Sequence, residues 1–311
     1  MIVYSFQEGI PEDFQPDFDV GIFHQQKHLL LQSTQGLTSF VIIDNERKLI
    51  LGLVYYHIQD NIAKSPLRSP YGSYLFSPKI SGEVLVNFMA FTEERMKEKG
   101  VYSMILKNSP DTYSPGQHKL LQEVLFQKHY HVQLEEISAI IPVTDDPFEL
   151  HLHRSEKKRL RKCYDGGLVF EMISLDHLSV IYNFLKTCKD EKGYELSMSL
   201  EELLKTSTMF PSHFYLSRVT LHDELIAANI SIKVNAHVLY NFYHDHSRAY
   251  NLLSPVVLLN EGLYQFCQEN RIKLLDLGTS TLNGTINKSL LNFKLRLGAL
   301  PSRKLTFVKN F

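Results

Sequence analysis

The sequence predicts an α/β protein made of two related units in tandem, each a mixed, mostly antiparallel sheet flanked by helices. Three observations lead there. The order hairpin, helix introduced by Ser-Pro, strand, helix, strand occurs twice, roughly 175 residues apart, which argues for a duplicated unit and against one large sheet. Asp145-Asp146-Pro147 interrupts the pattern between the copies, so the expected units are residues 1–145 and 146–311. At 311 residues, 44% hydrophobic and 22% charged, the chain is long enough and apolar enough for two cores.

In the first half, residues 1–35 give a short strand, a proline-bounded acidic loop from Pro11 to Asp19 and a helix over 24–32. Thr38 to Asp44 and Leu49 to Ile58 flank the turn Asn45-Glu46-Arg47-Lys48, a hairpin by composition and spacing. After Ser77-Pro78 comes a helical stretch, 81–99, stopped by Gly100, then a strand over 101–106, a helix over 117–127 and a long strand over 132–142. The second half has a basic segment, a strand (168–173), helices (177–189 and 200–207), a hairpin (214–219 with 225–234) and a third strand (238–244). Ser254-Pro255 opens a helix to Asn270, with serine as N-cap and proline at the first helical position. A strand and helix over 272–298 and a last strand over 303–308 complete it.

Composition narrows the classes of function. A formal net charge of -1 gives no global field for nucleic acid, so no DNA partner is expected and any anion site must be local. Cys163, Cys188 and Cys267 are scattered and odd in number, which fits reduced thiols in a cytoplasm. The N-terminus lacks the basic and apolar regions of a signal peptide, and no stretch approaches the roughly 18 apolar residues of a membrane span. The His-x-His pairs at 129/131, 151/153 and 244/246 lack companion ligands, so no metal site is expected.

Ile272 to Gly298 is the stretch where chemistry is expected. Its strand is apolar on both faces except for Lys273 and Asp276, so Asp276 is a carboxylate at the end of a buried strand. Gly278 frees the chain to turn, and Thr279, Ser280, Asn283, Gly284 and Asn287 make a polar connection. On a helical wheel Leu290, Leu291, Phe293, Leu295 and Leu297 form one apolar arc, and Lys294 falls inside it. Such a lysine either snorkels to water or points its ammonium at something negative.

HRSEKKRLRKCYDGGLVFEMI, the hairpin with Ala227-Ala228, Leu253-Ser254-Pro255, LLDLGTS and FKLRLGA, in that order, resemble the FemAB-like family, tandem GNAT-fold proteins related to Fem aminoacyltransferases. The resemblance implies two GNAT-like domains. It also implies that Arg154, Lys158, Arg161 and Lys162, together with Lys294 after Phe293, hold a phosphate-bearing substrate or stabilise the transition state of acyl transfer. One departure bears on the donor. The segment Ser247 to Pro255 has no glycine where acetyl-CoA-using GNAT enzymes carry a glycine-containing pyrophosphate loop, and Pro255 removes a backbone donor. The expected carrier is therefore acyl-CoA or another activated acyl carrier.

The chemistry so implied is attack of an amine on an activated acyl carbon, the amine belonging to a small-molecule or nucleotide-linked substrate such as a cell-envelope precursor. Asp276 or His244 would take the proton, Tyr243 would donate to the leaving group, and Lys294 or the N–H groups at Ser254 would face the oxyanion. Arg154, Lys158, Arg161, Ser254, Thr279 and Ser280 would bind substrate. The alternative is a GNAT-like binding protein that has lost its acyl-CoA site. A working transferase should show a groove reaching Lys294, Asp276 and His244; a degenerate one should fill it with side chains.

Overall fold

A computed structural model describes residues 4–33, 35–282 and 284–311, so Asn283 of the polar connection lies outside the described residues. The chain forms two compact units, Met1–Ile137 with Ser302–Phe311, and Ser138–Pro301.

Unit 1 contains β1 (Tyr4–Glu8), α1 (Gln26–Gln32), β2 (Leu37–Asp44), β3 (Leu49–Gln59), β4 (Ile62–Ser65), α2 (Gly82–Glu98), β5 (Ser103–Lys107), α3 (Pro115–Gln127) and the first part of β6 (His131–Pro142). β1 to β4 form antiparallel pairs in chain order. The turn between β3 and β4 has positive φ at both Asp60 and Asn61, as a two-residue hairpin with the twist of its strands requires. β4 and β5 are parallel, Ile62↔Ser103 to Ser65↔Leu106, with α2 as the crossover. α2 is capped by Ser81, whose side chain accepts from Val84 N–H; Ser77-Pro78 lies upstream of the helix and does not cap it. Leu85, Phe88, Met89 and Met96 of α2 pack with Phe40, Ile42, Val54, Met104 and Leu106 of the sheet into one core.

Unit 2 contains the end of β6, then α4 (Arg154–Asp165), β7 (Val169–Ile173), α5 (Leu178–Asp190), α6 (Leu200–Met209), β8 (Phe214–Leu221), β9 (Glu224–Lys233), β10 (Val238–His246), α7 (Pro255–Glu269) and β11 (Leu274–Thr279). A small hairpin, β12 (Thr281–Leu282) with β13 (Thr285–Ile286), leads to α8 (Lys288–Arg296), and β14 (Leu300–Asn310) carries the chain back into unit 1. The strand order in unit 2 is β7-β8-β9-β10-β11-β6, antiparallel throughout except for the parallel pair β10–β11 bridged by α7. α7 lies close on the sheet because residue 262 is glycine: a Cβ there would stand 2.4 Å from the Phe170 ring.

The division differs from the one suggested by the Asp145-Asp146-Pro147 break. Residues 138–142 side with unit 2 because Ile140, Ile141 and Pro142 pair with Asp276, Leu275 and Leu274. Residues 302–311 side with unit 1 because β14 pairs with β5 from Thr306↔Lys107 to Asn310↔Ser103. Hydropathy marks both segments as strands and is silent about which partner each will find. Among the described residues no helix is long and apolar enough to cross a membrane.

Candidate functional site

The site grows from the parallel pair of unit 2. β10 and β11 are joined only over Val238–Tyr240 and Leu274–Asp276, yet β10 runs on to His246 against β9. A bulge at Phe242 in β10, between Ser231↔Asn241 and Ile230↔Tyr243, bends that strand. The strands therefore part beyond Tyr240 and Asp276. Near its end β11 turns at Gly278, with φ of 77°, and its pairing with β6 is interrupted between Asp276 and Thr279.

Lys294 reaches this turn from α8. Its Nζ donates to the carbonyl oxygens of Gly278 and Thr279, 2.9 Å each, and the residue is 3% exposed. The ammonium does have partners that justify its burial, and they are backbone dipoles. Burial pushes its pKa down to about 8, with Asp276 opposing the fall and Lys189 adding to it. An ammonium has three N–H donors and two are engaged here, so one remains uncommitted among the described residues. The apolar arc expected around it is only partly realised: Leu297 is buried, while Leu290 and Leu295 are exposed. Lys294 is the buried residue of α8, against ordinary patterning.

Asp276 is buried, and its Oδ1 accepts the Gly278 N–H at 2.7 Å, so it shapes the turn that Lys294 caps. His244 lies on β10 opposite Asn229, half-buried, with no hydrogen bond to its imidazole among the described residues. Burial, then the charges of Lys189 and Lys294, hold its pKa well below the ordinary histidine value, against an opposing pull from Asp245. It is thus neutral, with a free lone pair. Tyr243 projects from the other face of β10, where its hydroxyl meets Ser197 Oγ at 2.6 Å and accepts Met198 N–H at 2.9 Å. That ties it to the connection between α5 and α6 and away from Lys294. Thr279 contributes its carbonyl oxygen, and Ser280 is buried with its Oγ unpaired among the described residues.

Beside these groups is a cleft of about 280 Å³ lined by Arg159, His246, Asn251, Ser254, Val256, Val257 and Phe293. Ser254 precedes α7 in the left-handed conformation, φ 54°, and its side chain makes no capping bond, unlike the N-cap expected of it. Pro255 has no N–H, and the Val257 N–H bonds to Ser254 O at 3.0 Å, so this helix end offers few free donors. The positive charge comes from α4. Arg154, Lys158, Arg161 and Lys162 are all on its solvent side, Arg161 paired with Glu149 at 3.2 Å, and none lines the cleft. Arg159 does. Its Nη1 bonds both oxygens of Glu156, at 3.2 and 3.0 Å, and the fully buried Glu156 also accepts from Arg296 Nε at 2.9 Å. Glu156, the one acid in a basic run, was the available signal, since it marks the buried face and hence the arginine that flanks it.

Neither a family model nor a curated protein sequence matches the chain. Solved structures do. FemX is 12% identical, with a TM-score of 0.69 over 92% of this chain and 91% of its own. The C-terminal domain of a putative lysylphosphatidylglycerol synthetase from Agrobacterium fabrum is 13% identical, with a TM-score of 0.54 over 84% and 81%. A tandem GNAT protein from the clavulanic acid biosynthesis pathway is 13% identical, with a TM-score of 0.51 over 88% and 82%. At such identities the likeness is one of fold: the chain has the tandem GNAT fold that the FemAB-like resemblance implied.

Proposed function

We propose that unit 2 carries an acyl- or aminoacyltransferase centre, which moves an acyl group from an activated carrier to an amine on a small-molecule or nucleotide-linked acceptor. The observation that carries this reading is Lys294, a buried ammonium fixed by two carbonyls, beside a neutral histidine; among the described residues one Lys294 proton is uncommitted and the imidazole has no hydrogen-bond partner. The amine nitrogen attacks the acyl carbon, and the carbonyl electron pair moves onto oxygen, where the third N–H of Lys294 meets the new charge. The attacking nitrogen sheds a proton as the bond forms, and His244, a weak base because it is buried, relays that proton to the departing group. Collapse of the intermediate re-forms the carbonyl and expels the carrier's thiolate or alkoxide.

Arg159 would hold a phosphate of the carrier in the neighbouring cleft. Acyl-CoA and a longer aminoacyl carrier both fit this role, and the fold shared with FemX and the lysylphosphatidylglycerol synthetase domain supports the aminoacyl choice. Asp276 acts by orienting the turn and keeping Lys294 charged, in place of the base role first expected of it. One observation favours a second reading, a binding protein without turnover: the cleft's lining stops at Phe293, and Lys294 and Asp276 are 3% and 2% exposed.

The test is direct. The full chain is incubated with acetyl-CoA or a charged aminoacyl-tRNA as donor and a UDP-linked amino sugar peptide as acceptor, and products are read by mass spectrometry. Transfer lost in Lys294→Met is expected. Thermal stabilisation by donor or acceptor with no product from any pair would favour the binding protein, and transfer undiminished in Lys294→Met would overturn the assignment.

A further inference from the structure

Unit 1 has its own parallel strand pair bridged by a helix, β4 and β5 across α2. The carboxyl ends of parallel strands are where α/β folds habitually bind ligands. At that place in unit 1 lies a cavity of about 60 Å³. The segment Gly72–Ser73 crosses the strand ends, held by Gly72 N–H to Lys107 O at 2.8 Å and by Ser73 N–H to Ser65 Oγ at 2.9 Å. Asn108 follows β5 directly, with its N–H on Leu305 O at 2.9 Å.

Three of the side chains around this cavity, Ser73, Asn108 and His118, are polar and buried and carry unpaired atoms; Tyr74, Leu75, Phe76 and Leu121 line the rest of it together with Ser109, Ser114 and Gln117. Asn108 is 1% exposed, and neither its Oδ1 nor its Nδ2 has a partner among the described residues. Ser73 Oγ and His118 Nδ1 are likewise without one. His118 spends its other nitrogen on Ser109 Oγ at 2.9 Å, and Asp111 stands 4.0 Å from Nδ1, beyond hydrogen-bond reach. An unmade bond at a buried polar atom costs about 1–3 kcal/mol, so four around one small space call for an occupant.

The occupant's chemistry follows from the lining. Among the described residues no charged side chain borders the cavity, and burial pushes the His118 pKa down to about 4, leaving it neutral. A carboxylate or ammonium would be buried there uncompensated. Asn108 instead offers a donor and an acceptor side by side, the complement of an HN–C=O edge: its Nδ2–H meets the ligand oxygen and its Oδ1 meets the ligand N–H. Ser73 Oγ and His118 Nδ1 can take the second N–H and the second lone pair. The volume suits about four heavy atoms, taking roughly 15 Å³ for each. Ser114 and Gln117, which also line it, are half-buried, so the group enters from solvent as the end of something larger.

We propose that unit 1 binds a primary carboxamide end, read by the side-chain amide of Asn108 with Ser73 and His118 beside it. The site is independent of the transferase centre. Saturation-transfer NMR on the full chain should show propionamide binding at least ten times more tightly than propionate. Asn108→Asp, which keeps the shape and loses the donor, should weaken propionamide at least tenfold, whereas Lys294→Met should leave it unchanged. A crystal soaked in propionamide decides the matter without any variant: amide density on Asn108 supports the assignment, and ordered waters only would overturn it. Equal binding of propionate, or propionamide binding undiminished in Asn108→Asp, would also overturn it.

Discussion

Replacing Lys294 by methionine tests the physics of the site apart from any substrate. Its ammonium has a folded-state pKa of about 8 against 10.5 for a free lysine. The difference between those two values corresponds to about 3 kcal/mol. The sign follows from proton binding. Between pH 8 and 10.5 the unfolded chain holds more of this proton than the folded one, so stability rises with pH across that window. Below pH 8 the full penalty is present; above 10.5 it has gone. Methionine of similar length removes the penalty but leaves the Gly278 and Thr279 carbonyls without their donor, at about 1–3 kcal/mol each. At neutral pH the two effects nearly cancel, which makes the absolute change uninformative and the slope decisive. Urea unfolding of both proteins at intervals from pH 7 to 10.5 should show the wild type gaining about 3 kcal/mol on the variant. Tyrosines and cysteines that titrate in the same range are common to both proteins and drop out of the difference. Parallel stability curves would refute the claim that this ammonium is held charged in a dry site.

Asp276→Asn retains an acceptor for the Gly278 N–H but removes the charge that favours the Lys294 ammonium, so the alkaline limb of the transfer rate should move to lower pH; an unmoved limb would show the two do not communicate. Arg159→Ala should raise the donor KM about tenfold, the worth of one charge-assisted hydrogen bond, while Arg161→Ala, out in solvent, should leave it within twofold. The reverse ranking would return the phosphate to the outer face of α4. Tyr243→Phe removes bonds to Ser197 and Met198, which should lower stability by about 1–2 kcal/mol and change kcat less than twofold; a hundredfold loss of kcat would make the hydroxyl catalytic.

What could be read in the sequence was whatever local pattern controls. Both hairpins, the crossover helices and the strand that ends in Asp276 follow from alternation, turn residues and helical periodicity, and the oddity of a lysine among leucines pointed at a buried ammonium. The residues that escaped are those fixed by distant partners. Lys294 was expected to point at something negative, and the partners the fold gives it are the Gly278 and Thr279 carbonyls, in a turn where Asp276 accepts the Gly278 N–H. Arg154, Lys158, Arg161 and Lys162 of α4 were expected to hold substrate, whereas the arginine that lines the cleft is Arg159, held by Glu156. Tyr243 and His244 were both expected at the reacting centre, and the pleat of β10 sends these sequence neighbours to opposite faces. The strands at residues 138–142 and 302–310 show the same limit at the scale of the fold. Each satisfies its own hydropathy, but which unit it completes is decided by backbone pairing with a strand well over a hundred residues away. A duplicated chain in which each closing strand is drawn from the other half of the sequence has a consequence for its stability: truncation after Pro301 should leave β5 paired with β4 alone and destabilise unit 1, although the residues removed carry none of the groups assigned to transfer.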